Sequence, residues 1–253
     1  MPKVALQLST LQDVARMDLL GAIELAAKIG YPAIEFSGYY GVKPSAVRRR
    51  LEELQLEAVG NHVPIDWGNL KSLGKDMERE IQYALEIGIP RIIAPWAPLQ
   101  EKPTMDDVRH LVRVLERAAL QVRAAGLQFG YHNHVSELVH VNGKLILDHV
   151  LERIPAELMF LELDVGWVYM AGLQAADLIN RYASRLELMH IRDFGTQRTD
   201  TVIGEGVINF DPLLRAAAEA DVQYYVVCQE QFELTSVDSA RLSLQFFQDR
   251  NLV

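Results

Sequence analysis

The sequence has a single cysteine, Cys228, in 253 residues. No intrachain disulfide can form, which suits a reducing compartment. No apolar run approaches the ~18 residues of a membrane span. The opening "MPKVALQLST" is too short and too polar for a signal peptide. These absences predict a cytoplasmic protein with no membrane partner. Basic excess is missing too. Asp and Glu number 34 against 25 Lys and Arg, for a formal charge of -9. A phosphate backbone wants a basic face, so nucleic acid is not the expected partner. No G-x-G-x-x-G follows the first strand pattern, which removes support for a dinucleotide fold. Linkers, charge runs and low-complexity segments are absent, so residues 1–253 read as one domain.

What is present is a recurring unit. A helical stretch ends near a Gly or a polar turn, and a short apolar run follows. "LLGAIELAAKIGYPAIEF" shows it first, with Gly30 as the helix stop. "MEREIQYALEIGIPRIIAPW" repeats it with Gly88 as the C-cap, and "VRHLVRVLERAALQVRAAGLQFGYH" with Gly126. The full pattern predicts eight strands and eight helices. Alternating β and α elements imply a parallel sheet with right-handed crossovers. Near-continuous apolar strands imply burial on both faces. Eight units in this length predict an α/β fold, a single (β/α)8 TIM barrel; an open doubly wound sheet is the runner-up.

Such a barrel carries its active site at the C-terminal ends of its strands. Those ends are unusually polar. Strand 2 ends in Glu35, strand 3 in Asn61 and His62, and strand 4 in Pro95 and Trp96. Strand 5 ends in His132, Asn133 and His134, with Glu137 just beyond. Strand 6 ends in Asp164, strand 7 in His190 before Arg192 and Asp193, and strand 8 in Glu230. His110, His140 and His149 are expected at the surface. Taken alone, Asp164 could equally cap the next helix. A lone His190 reads as a satisfied rim histidine, and Asp193 and Glu205 read as loop or cap residues. Burying charge at a core rim is costly unless it is paired or bound to metal, and Asp164, His190 and Glu230 end three successive strands. Mixed carboxylate and imidazole donors suit Mn, Zn, Fe or Co, whereas Mg prefers an all-oxygen set. A divalent ion there could hold vicinal substrate oxygens while a nearby Glu or His moves the proton next to a carbonyl. That is the chemistry of aldose–ketose isomerisation, epimerisation and dehydration through an enediolate.

At "AIEFSG", "YHNHVSEL", "LELDVGWVYMAG", "ELMHIRDF", "IGEGVINF" and "VVCQEQF", the sequence resembles the sugar phosphate isomerase/epimerase family of xylose-isomerase-like TIM barrels. The resemblance covers essentially the whole chain. It implies a metal held by a strand-5 Glu, a strand-6 Asp, a strand-7 His and a strand-8 Glu. Three of these carry onto Asp164, His190 and Glu230. The fourth position is His132, so either His132 ligates, or Glu137 reaches back, or three protein ligands suffice. The family's paired glutamates would leave Glu230 as one proton carrier, with His132 or His134 as the other. A family substrate-contacting histidine is here Trp167. The remaining substrate-binding candidates are Glu35, His62, Trp96, Asn133 and Arg192, with Arg198 a further basic residue near the mouth.

The expected function is a divalent-metal-dependent isomerase or epimerase acting on a sugar, keto-sugar or inositol-like polyol. A lyase or dehydratase on a similar substrate, a non-catalytic sugar-binding barrel and an endonuclease-like member are the alternatives. The resemblance also brings homo-oligomers into consideration.

Overall fold

Eight parallel strands close into a barrel, each hydrogen-bonded to its sequence neighbours and the last to the first. They are β1 (Lys3–Gln7), β2 (Ala33–Phe36), β3 (Glu57–His62), β4 (Arg91–Ala94), β5 (Gln128–His132), β6 (Phe160–Asp164), β7 (Leu186–Ile191) and β8 (Tyr224–Val227). The barrel is closed by β1 pairing with β8 on one side, Val4 against Tyr225, and with β2 on the other, Gln7 against Glu35. A computed structural model describes residues 2–253, at positions 70 and 71 by backbone alone.

The described residues form ten α-helices, two more than expected. They are α1 (Gln12–Ala15), α2 (Leu19–Ile29), α3 (Pro44–Leu54), α4 (Leu70–Ile87), α5 (Met105–Ala124), α6 (Ile146–Arg153), α7 (Val165–Met170), α8 (Ala175–Tyr182), α9 (Phe210–Glu219) and α10 (Ser236–Gln248). The surplus comes from the short α1 and α7, each a brief helix before the main one of its unit. Two-stranded ribbons, at His140–Val141 with Lys144–Leu145 and at Asp193–Phe194 with Asp200–Thr201, decorate the loops after β5 and β7.

Local chemistry sets the helix ends. The Thr104 side chain accepts from the Asp106 and Asp107 amides, and Asp107 answers with the Thr104 amide, a capping box that starts α5. Gly30, Gly88 and Gly126 have φ of 114°, 93° and 82°, the left-handed conformation that stops α2, α4 and α5 near the predicted positions. No helix among the described residues is long and apolar enough to cross a membrane.

The barrel interior has two storeys. Ala5, Ala33, Val59, Ile93, Phe160, Leu188 and Val226 form a dry lower layer. Strand side chains alternate between faces, so the residue two positions on shares the inward face. Two residues above Ala5, Ala33, Phe160 and Leu188 stand Gln7, Glu35, Glu162 and His190, all buried. The apolar plug thus supports a polar floor at the C-terminal end. Glycines provide room. A Cβ on Gly130 would drive into the Phe160 ring, and one on Gly60 would lie 2.8 Å from Ile93 Cδ1 and 3.2 Å from Glu35 Oε1. The sheet register shifts between Ile34 and Glu35, where Glu35 pairs with Gly60. The bulge aims His62, two residues beyond Gly60, inward.

Candidate metal centre and active site

The polar floor converges on two carboxylates. Glu162 Oε2 lies 2.6 Å from His62 Nε2, 3.0 Å from His132 Nδ1 and 3.4 Å from His190 Nε2. Glu35 Oε2 lies 2.9 Å from His190 Nε2 and 3.1 Å from His62 Nε2, and it accepts from Gln7 Nε2 at 2.6 Å. His62, His132, Glu162 and His190 each present a donor atom within 4.8 Å of the others.

This set fits a divalent ion on three grounds. Tetrahedral donors around zinc stand about 3.3 Å apart, the scale of the separations here. His62 Nε2 and His190 Nε2 each face two carboxylate oxygens, and one ring proton cannot serve both well. Glu35 Oε1 and Glu162 Oε1 are buried without a protein partner. Mixed imidazole and carboxylate donors favour zinc, manganese, iron or cobalt over magnesium.

Electrostatics hold the cluster together. Burial opposes charge on His62, but the Glu35 and Glu162 carboxylates outweigh it and lift its pKa to about 10. The same balance, led by Glu162 once burial is overcome, raises His190 well above the usual imidazole value. Burial alone would raise Glu162, yet the charges of His190 and His62 hold it well below the carboxylate range. His132 is pushed down to about 3, by burial and then by the charge of His190. His134 is also taken down to about 3, by burial and then by His132. Both are therefore neutral imidazoles across the physiological range.

The predicted site residues divide among this floor and the mouth above it. His132 and His190 lie in the cluster, joined by His62 and Glu35, which had been assigned to substrate. Asp164 stands just above: its Oδ2 is 3.8 Å from His132 Nε2 and 4.0 Å from Arg192 Nε. Its Oδ1 accepts from the Trp167 amide at 3.0 Å, so it also caps α7. The Asn133 Oδ1 accepts from the Asp164 amide at 3.0 Å, and its Nδ2 has no protein partner. Glu230 is 56% exposed and paired with Arg192 Nη2 at 2.8 Å, outside the four-residue cluster. Glu137 is engaged elsewhere, by Tyr131 Oη at 2.7 Å, the His134 amide at 2.7 Å and Ser136 Oγ at 3.0 Å. It braces the loop after β5.

Trp167 lies against both His134, with ring centres 5.3 Å apart, and Arg192, whose guanidinium sits 4.9 Å from its ring. Trp96, just past β4, is 43% exposed. Arg198 donates to the Met170 carbonyl at 2.6 Å, which ties the β7 ribbon to α7. Asp193 is a loop organiser, accepting from the amides of Phe194, Gly204, Gly206 and Ile208. His149 departs from expectation: it is buried, with Nε2 2.8 Å from the Val141 carbonyl.

Sequence reasoning missed Glu162 and Gln7. Glu162 hides inside "FLELD", where it reads as a polar interruption of an apolar strand. The available signal was alternation: once Asp164 is placed facing the barrel axis, Glu162 must share its face.

A closed parallel barrel with an imidazole–carboxylate cluster at the C-terminal end of its strands defines the fold class, a TIM barrel. The chain belongs to the xylose isomerase-like TIM barrel family, whose model matches residues 23–250. Among curated proteins it is similar to the inosose dehydratase of Geobacillus kaustophilus, 22% identical over 240 residues, covering 81% of this chain and 77% of that one. Among solved structures it is similar to a sugar phosphate isomerase/epimerase from Parabacteroides distasonis, with a TM-score of 0.87, 22% identity and coverage of 100% of this chain and 95% of that one. It is also similar to the IolI protein with a bound zinc atom, with a TM-score of 0.78, 14% identity and coverage of 98% and 97%.

Proposed function

We propose that this protein is a divalent-metal-dependent isomerase or epimerase that moves the proton next to a carbonyl in a small sugar, keto-sugar or inositol-like polyol. The observation that carries the reading is the convergence of His62, His132, His190 and Glu162, with Glu35 alongside, beneath a mouth holding Asp164, His134, Arg192 and Glu230. His62, His132, Glu162 and His190 would hold the ion. When bound, it would polarise a substrate carbonyl and fix a neighbouring oxygen, stabilising enediolate charge. The donor set itself supports a metal here, and the IolI structure, a neighbour of the same fold, has a bound zinc atom.

The chain's own groups would do the rest. Glu230, exposed beside Arg192, would take the proton from the α-carbon. His134, neutral and with Nδ1 unpartnered, would exchange a proton on another side of the substrate. Trp167, packed on His134 and Arg192, offers an apolar face to carbon-bound hydrogens of a ring. Asn133 and Asp164 offer an amide donor and a carboxylate acceptor to hydroxyls.

Return of the proton to the opposite face gives an epimer, and return to the adjacent carbon gives the aldose–ketose isomer. Loss of a β-hydroxyl gives a dehydration product. The similarity to inosose dehydratase favours this last outcome as the second reading. The formal charge of -9 weighs against an endonuclease.

Transfer of solvent deuterium into the α-position of keto-sugars and keto-polyols, read by NMR on metal-loaded protein, tests the proposal. Exchange that falls about 10²–10⁴-fold in Glu230→Gln is expected for a lost general base. Binding of such compounds with no exchange by the wild type would identify a non-catalytic barrel instead.

A further inference from the structure

The charge of the substrate can be read from the surroundings of Arg192, given the functional reading above. Arg192 is 2% exposed. Its Nη2 pairs with Glu230 Oε1 at 2.8 Å, and its Nε lies 3.9 Å from Asp200 Oδ1 and 4.0 Å from Asp164 Oδ2. The indole of Trp167 lies 4.9 Å from the guanidinium. One cation therefore faces three carboxylates. A phosphate arriving here would have to displace Glu230 and then lie against Asp164 and Asp200. Like charges at such distances repel as strongly as one guanidinium attracts, so the exchange is unfavourable.

The neighbouring cavity gives no better cationic seat. It encloses about 710 Å³ between the loops after β1 and β8, and its one basic residue, Arg16, shares the wall with Asp13 and Glu230. The unpartnered buried atoms point the same way. Asn133 Nδ2 and Arg192 Nε are donors without acceptors, while Asp164 Oδ2 is an acceptor without a donor. A hydroxyl both donates and accepts, so an array of hydroxyls can satisfy both kinds. An ionised phosphate or carboxylate only accepts, and would leave Asp164 Oδ2 facing another anion.

We propose that the substrate is an uncharged polyhydroxylated carbonyl compound, free of phosphate and carboxylate groups. The name sugar phosphate isomerase/epimerase, carried by a structural neighbour, does not extend to this chain's ligand.

Matched pairs test this directly: a ketohexose and its phosphate ester, and a cyclic keto-polyol and its phosphate ester. Binding to the metal-loaded protein is measured by calorimetry, alongside deuterium exchange by NMR. Each neutral compound that binds should do so at least tenfold more tightly than its ester. Asp200→Asn should narrow that gap severalfold by removing one repelling charge. A phosphate ester that binds as tightly as its neutral partner, or failure of every neutral compound to bind, overturns the proposal. Neutral-selective binding without exchange would leave it standing and remove only the catalytic reading.

Discussion

Asp164 ends β6 and caps the helix that follows. Its Oδ1 caps α7 through the Trp167 amide, while its buried Oδ2 is left open between His132 and Arg192. Removing an N-cap carboxylate costs about 1 kcal/mol, whereas Asn caps nearly as well. Asp164→Ala should therefore lower stability by about 1 kcal/mol in urea denaturation, and Asp164→Asn by much less. Equal losses in both would show that the cap contributes nothing. Of the two roles read for this strand-end Asp from the sequence, the helix cap is present, whereas Asp164 stands outside the four-residue cluster. Glu162 was not legible in the same way, because a carboxylate one step below the rim looks like noise in an apolar strand. Gln7, the donor to Glu35, was hidden for the same reason. The low pKa of His132 and His134 follows from burial beside other charges, which spacing along a chain does not reveal.

Among the elements, the strands alternate an apolar lower layer with a polar upper one, and glycine makes the alternation fit. Gly130 on β5 faces the Phe160 ring on β6, and there is no space for a methyl group between them. Overpacking a closed core costs about 1–3 kcal/mol. Gly130→Ala should be destabilised by that amount in chemical denaturation with the barrel retained; unchanged stability would show that the Phe160 ring can move aside freely. The eight-unit repeat was readable because apolar strands and glycine-stopped helices recur along the whole chain. The shift between Ile34 and Glu35 that turns His62 inward was not readable. A bulge changes which face a side chain takes without changing the hydrophobic pattern that announces the strand.

For the whole molecule, closure of the barrel brings residues from β2, β3, β5, β6 and β7 onto one floor, although Glu35 and His190 lie 155 positions apart in sequence. The resemblance to the family directed attention to Asp164, His190 and Glu230. The geometry gathers His62, His132, Glu162 and His190 into one cluster, with Asp164 and Glu230 at the mouth. The most direct test of the central claim is metal content of purified protein by mass spectrometry, comparing wild type with Glu162→Gln and Glu230→Gln after identical loading. The account predicts near-stoichiometric divalent metal in wild type and Glu230→Gln and a large loss in Glu162→Gln. Full retention in Glu162→Gln, with loss in Glu230→Gln, would contradict it and move the ion to the mouth.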